Sequence, residues 1–173
     1  MRGDSIFLVG PMGAGKTTVG KKLAEQRGLS FVDSDHEIEV RTGVDIPFIF
    51  EKEGEEGFRK REQCVLEDLT TQRGIVLATG GGAVIKAENR QHLKARGFVV
   101  YLHASVAQQF SRVERSDNRP LLAHGDRREI LARLFVERDP LYREVADLVL
   151  DTDGKNAKQL ARDIELALLG QGL

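Results

Sequence analysis

Apolar residues arrive in short, well-separated runs. Ser5–Val9, Ser30–Val32, Ile75–Ala78, Phe98–Leu102 and Leu148–Leu150 are too brief for helices and are bounded by polar or glycine-rich segments. Such runs predict buried strands. Between them, apolar positions recur at helical spacing. Val19, Leu23 and Ala24 share one face of a helix predicted over Lys16–Arg27,. Further helices are predicted near His36–Arg41, Glu55–Gln72, Ala87–Ala95, Val106–Val113, Arg127–Val145 and Ala157–Leu168. The alternation of strand and helix predicts an α/β fold, a parallel sheet with helices on both faces. In such sheets, ligands sit beyond the carboxyl ends of the strands. Two long connections remain. One is Thr42–Gly54, between helices; the other, Ser116–Asp126, is polar, carries Pro120 and Gly125, and is expected to form a mobile lid,.

Composition narrows the function classes. The 173 residues suffice for one domain with a sizeable core,. No linker, repeat or low-complexity stretch divides them. Charged residues make up 31% and the net charge is −1, which argues against a general nucleic-acid binder,. The lone Cys64 has no partner for an internal disulfide, which points to a reducing compartment,. On its charged helix it is expected to be a packing residue. No apolar run approaches the roughly 20 residues needed to span a bilayer, and no signal-like segment precedes the first strand. The expectation is a cytoplasmic protein. Nothing in the pattern shows a large exposed apolar face, so a monomer is expected. The four histidines, His36, His92, His103 and His124, lack metal-ligand spacing and read as structural or surface residues,.

The strongest chemical signal follows the first strand. Gly10-Pro11-Met12-Gly13-Ala14-Gly15-Lys16-Thr17 matches the phosphate-loop pattern G-x-x-x-x-G-K-[ST] at every fixed position,. Its glycines allow backbone N–H groups to approach phosphate oxygens, and the following helix adds partial positive charge. Lys16 is placed to reach the β- and γ-phosphates of a nucleotide, and the Thr17 hydroxyl to ligate Mg²⁺. Asp33-Ser34-Asp35 closes the second strand. It suits either a helix N-cap or two ligand contacts facing different ways. Thr79-Gly80-Gly81-Gly82 closes the third strand; it is either an awkward strand-to-helix turn or a place where another group approaches the backbone,. In Glu55–Glu62, Lys60 and Arg61 read as a solvated face, whereas Glu62 sits one turn beyond Arg59 and can orient its guanidinium toward a carboxylate,. Eight arginines and no lysine lie between Tyr101 and Leu150. Arg119 stands out within the expected lid, and Arg138 stands just before a break expected at Pro140.

Taken together, Gly10–Thr18, Asp33–Asp35, Glu55–Arg59, Thr79–Gly82, Asn118–Leu122 and Arg138–Tyr142 resemble the shikimate kinases, in order and spacing, over nearly the whole chain. The resemblance implies a three-layer α/β/α domain with a five-stranded parallel sheet, related to nucleoside monophosphate kinases. It implies a lid near residues 112–125 and a substrate-binding segment near residues 33–62. The activity implied is transfer of the γ-phosphoryl of ATP to the 3-hydroxyl of shikimate, on the route to chorismate and the aromatic amino acids. By position, Gly13, Ala14, Gly15, Lys16, Thr17 and Thr18 would hold the ATP phosphates. Thr17 would bind Mg²⁺, with Asp33 supporting it through water. Asp35 would accept hydrogen bonds from substrate hydroxyls and receive the attacking hydroxyl's proton. Arg59 and Arg138 would clamp the shikimate carboxylate, and Gly80, Gly81 and Gly82 would offer backbone donors. Arg119 would close onto the phosphates, Arg112 would pack against adenine, and Lys155 would add a nucleotide contact. Three other readings stand beside this one: a gluconate- or nucleotide-phosphorylating P-loop kinase, a P-loop switch protein, and a nucleotide-binding module without catalysis. The switch reading lacks an Asn-Lys-x-Asp guanine-reading motif.

Overall fold

Five strands pair in parallel in the order β2-β3-β1-β4-β5. They are β1 (Ile6–Val9), β2 (Ser30–Asp33), β3 (Ile75–Ala78), β4 (Phe98–His103) and β5 (Leu148–Asp151). The computed structural model describes residues 3–114 and 125–173. Seven helices occur among these residues: α1 (Lys16–Arg27), α2 (Ser34–Thr42), α3 (Ile46–Leu69), α4 (Ala87–Arg96), α5 (Val106–Val113), α6 (Arg127–Val145) and α7 (Ala157–Gly170). The expected α/β architecture is present. All four residues of β1 and of β3 are buried, as strands covered on both faces must be,. The edge strands β2 and β5 carry polar residues and are only partly buried.

Alternation along β1 divides the core. Phe7 and Val9 join a cluster with Phe58 and Leu66 of α3, Leu93 of α4 and Tyr142 of α6. Ile6 and Leu8 face the opposite layer, with Val19 and Leu23 of α1 and Leu160 and Ile164 of α7,. Each such large apolar side chain contributes about 1.5–3 kcal/mol relative to exposure.

Register then places the chemistry. Phe7 pairs with Leu77, Val9 with Tyr101 and Asp33 with Ala78. The carboxyl ends of β1, β2 and β3 therefore finish side by side, and the phosphate loop, Asp33–Asp35 and Thr79–Gly82 emerge along one edge. Gly10 makes the first turn possible. Its φ is +150°, and a Cβ there would lie 2.5 Å from the Leu102 carbonyl oxygen,.

Two expected boundaries differ. Thr42–Gly54 is not a long connection, because α3 begins at Ile46 rather than Glu55. Asp45 caps it by accepting from Phe48 N at 2.9 Å, and Pro47 lies in the first turn,. Gly54, at φ 71° and ψ −178°, is non-helical, so the expected helix start at Glu55 coincides with a kink where two helical segments meet. The Pro-marked break at Pro140 does not form either; α6 continues through Pro140 to Val145. Arg138 and Tyr142 thus lie one turn apart on the same buried face,. Cys64 is exposed rather than packed, because α3 turns Phe58, Val65 and Leu66 inward instead. Arg119 and most of the expected lid fall outside the described residues.

Candidate active site

The phosphate loop leads directly into α1. Gly15, at φ +90°, occupies the N-cap without a side-chain cap, so the first-turn N–H groups of α1 receive no capping oxygen there,. Lys16 lies across the loop, its Nζ donating to the carbonyls of Gly10 at 2.6 Å and Pro11 at 2.9 Å. Arg112 reaches in from α5 and donates through Nη1 to the Gly13 carbonyl at 2.6 Å. A cavity of about 420 Å³ opens here, lined by Gly13, Gly15, Lys16, Thr17, Thr18, Arg112, Asp33 and Asp35 among others. Ala14 is buried behind the loop. The sequence reading missed three further lining residues, His36, Glu39 and Ile46; no pattern in the chain marks them.

Asp33 takes the N-cap position of α2 and also meets the phosphate loop. Its Oδ1 accepts from the N–H groups of Asp35 at 2.9 Å and His36 at 3.2 Å, capping α2. Its Oδ2 accepts from the Thr17 hydroxyl at 3.0 Å. A hydroxyl and a carboxylate oxygen thus meet beside the N-terminus of α1. Two hard oxygen ligands with room for water fit Mg²⁺, which favours few protein ligands and retains several waters. Ser34, buried between its aspartate neighbours, accepts from Gly80 N at 3.1 Å and ties α2 to the glycine turn.

The three glycines leave space for four charged side chains. None of Gly80, Gly81 and Gly82 has a positive φ, so the requirement is room rather than conformation. A Cβ at Gly80 would lie 2.6 Å from Asp35 Oδ1 and 3.0 Å from Glu62 Oε2. One at Gly81 would lie 3.5 Å from Arg138 Nη1, and one at Gly82 would fall within the Arg59 guanidinium. The turn is where Asp35, Glu62, Arg59 and Arg138 converge.

Burial sets the electrostatics. Arg59 is 7% exposed, Arg138 5% and Glu62 0%. Arg59 donates through Nη1 to Glu62 Oε1 at 2.9 Å and through Nη2 to the half-exposed Glu55 at 3.4 Å. Its guanidinium lies over the Phe58 ring, 5.2 Å from the centroid,. Burial pushes the Glu62 carboxyl up in pKa, and the charges of Arg59 and Arg138 pull it down without fully reversing the shift,. Two buried guanidiniums stand beside the buried Glu62, with the half-exposed Glu55 on Arg59 and Asp35 across the turn, and a buried charge is stable only when paired. Lys155 is held elsewhere, its Nζ pairing with Asp163 at 3.0 Å. Tyr142 was not singled out by the sequence, although its spacing of four from Arg138 on a buried helix face was available as a signal.

A parallel sheet of this order with a phosphate loop at its carboxyl edge defines the class as a P-loop phosphotransferase fold. The family model for shikimate kinase matches residues 12–168. The chain is 58% identical over 160 residues to the shikimate kinase of Vibrio parahaemolyticus serotype O3:K6, covering 92% of this chain and 93% of that protein. It matches the structure of shikimate kinase from Acinetobacter baumannii in complex with shikimate at a TM-score of 0.96 and 54% identity, covering 98% and 95% of the two chains. A gluconokinase from Sinorhizobium meliloti 1021 shares the fold at 17% identity and a TM-score of 0.58, covering 99% and 97%. The chain belongs to the shikimate kinase family.

Proposed function

We propose that this protein transfers the γ-phosphoryl group of ATP to the 3-hydroxyl of shikimate, releasing ADP and shikimate 3-phosphate. Besides family membership, one observation carries the reading. A buried pair of guanidiniums with a single buried counter-carboxylate lies next to Asp35 and the phosphate loop. Shikimate is a small polyol acid, and its carboxylate suits the two guanidinium forks of Arg59 and Arg138. Its hydroxyls then face Asp35.

In the step itself, the 3-hydroxyl oxygen forms a bond to the γ-phosphorus and the bond to the bridging oxygen of ADP breaks. Asp35 receives the hydroxyl proton. Little covalent work falls to the protein, so positioning and charge stabilisation dominate. Lys16 exchanges its loop carbonyls for phosphate oxygens, and the α1 N-terminus and glycine N–H groups cradle them. Thr17 would hold Mg²⁺ and Asp33 would support it through water; when bound, the ion neutralises charge on the phosphate oxygens. Arg112 packs against the adenine; Lys155 would reach the nucleotide only by leaving its partner Asp163. Arg119 lies outside the described residues; its closure onto the phosphates follows from the resemblance alone. No helix among the described residues is long and apolar enough to cross a membrane. We read the enzyme as a cytoplasmic monomer.

ADP release with shikimate, D-gluconate and AMP, each with and without Mg²⁺, tests the reading. Turnover with shikimate and Mg²⁺ is expected to exceed the others by orders of magnitude. Comparable turnover with gluconate or AMP contradicts it.

A further inference from the structure

Tyr142 is 1% exposed and its ring packs on Tyr101, with centroids 4.9 Å apart. Its hydroxyl does more than fill the core. It donates to the Gly81 carbonyl at 2.5 Å. The Arg138 guanidinium, one helical turn earlier, acts electrostatically on the same hydroxyl, and its Nη1 would lie 3.5 Å from a Cβ at Gly81. The Tyr142 hydroxyl therefore ties α6 to the glycine turn beside a buried arginine.

The peptide unit between Gly81 and Gly82 is the kind that most easily flips, because neither flanking residue has a Cβ to restrict it. In a trans peptide, the carbonyl of one residue and the N–H of the next point to opposite sides. Fixing the Gly81 carbonyl therefore fixes the Gly82 N–H. A Cβ at Gly82 would lie 2.4 Å from both terminal nitrogens of Arg59, so the backbone of this residue packs against the other buried arginine. We propose that Tyr142 is a positioning residue that locks the Gly81–Gly82 peptide and holds Arg138 against it, so that both arginines and the Gly82 N–H meet the substrate carboxylate preassembled. The inference rests on the shikimate reading. Burial pushes the Tyr142 hydroxyl up to about 12, against the pull of Arg138, so it remains a protonated donor at neutral pH.

Tyr101 supplies the control. It is equally buried, stacks on the same ring, and donates instead to Asp139 Oδ1 at 2.6 Å. Each Tyr-to-Phe change keeps the ring and leaves one acceptor without its donor. Tyr142→Phe is expected to raise the shikimate KM on the order of 10-fold, as for a hydrogen bond whose loss leaves a buried group unsatisfied. It should leave the ATP KM within about twofold and broaden or double the Gly82 amide signal by NMR. Tyr101→Phe is expected to leave the shikimate KM within about twofold and the Gly82 signal single. An unchanged shikimate KM with one sharp Gly82 signal in Tyr142→Phe overturns the proposal, as does an equal KM rise in Tyr101→Phe. In the unmutated protein, the Tyr142 hydroxyl proton should exchange slowly and show a cross-peak to Gly81 or Gly82; a freely exchanging hydroxyl overturns the lock even if the variant does not fold. Should the unmutated enzyme release no ADP with shikimate, the substrate reading fails, and the Gly82 and hydroxyl signals still decide the lock.

Discussion

In the phosphate loop, consecutive residues lead into the uncapped N-terminus of α1, and Lys16 rests on two carbonyls of its own loop. In the proposed clamp, Arg59 and Glu62 come from α3 and Arg138 from α6, and the glycine turn after β3 supplies the space between them. The first region is built by local chain geometry and opens into a cavity. The second is built by tertiary packing and depends on a balance of buried charge. A loop of backbone donors serves any phosphate, so it specifies the class of reaction. A corner with two fixed, buried guanidinium forks suits one shape of anion, and in the proposed reading it specifies the substrate. Changes on the two sides should therefore separate cleanly in kinetics.

Asp35→Asn should produce the largest effect, because Asp35 stands where the two regions meet. It is expected to lower kcat by about 10²–10⁴-fold, the range for a positioned proton acceptor. ATP-analogue affinity should be retained, as measured by titration calorimetry. A rate near the unmutated value would reduce Asp35 to a neighbour of Gly80.

Arg59→Lys keeps the charge and loses the planar fork. The shikimate KM should rise on the order of 100-fold, matching about 2–3 kcal/mol for a charge-assisted pair, while the ATP KM stays constant. A parallel rise in both constants would mean that the two regions are not separable.

Gly82→Ala and Gly81→Ala sharpen the point within the turn itself. The first Cβ would collide with Arg59, whereas the second would make an ordinary contact with Arg138. Gly82→Ala is expected to cost about 1–3 kcal/mol in thermal or urea unfolding and to weaken shikimate binding. Gly81→Ala should cost less than about 1 kcal/mol. Equal effects would show that Arg59 relaxes away from the turn without loss.

Alkaline unfolding gives the smallest signal. Burial raises the Tyr142 hydroxyl pKa to about 12 in the folded state, against about 10 unfolded. Burial, with the hydrogen bond to Asp139 next, also raises that of Tyr101. A group raised on folding stabilises fully below the unfolded value and loses that contribution as pH rises. Urea midpoints should therefore fall between about pH 10 and 12, less steeply in Tyr142→Phe. A midpoint independent of pH in that window would contradict the burial of these hydroxyls.

The same contrast explains what the chain disclosed before its structure was known. The five strands were readable because continuous apolar runs have few other uses, and the phosphate loop because all its parts are contiguous. Asp33 remained ambiguous because a carboxylate at a strand end suits either use; in the structure one oxygen caps α2 and the other accepts from Thr17. Gly54 did mark the kink before the helical segment that starts at Glu55. Pro140 suggested a break, yet α6 runs over Arg127–Val145 as its spacing predicted. The three glycines announced a close approach but not its cause, since the groups that approach come from α2, α3 and α6. Tyr142 was hidden because an aromatic residue on an inward helix face ordinarily means core, and only its hydroxyl contact distinguishes it.

The most direct test compares kcat/KM for shikimate with that for its methyl ester, in the unmutated enzyme and in Arg59→Lys. If the acid group is held by two buried guanidiniums, the unmutated enzyme should favour the free acid on the order of 10²–10³-fold, and the variant should lose most of that preference. Equal use of acid and ester by the unmutated enzyme, or a preference untouched by the substitution, contradicts the account.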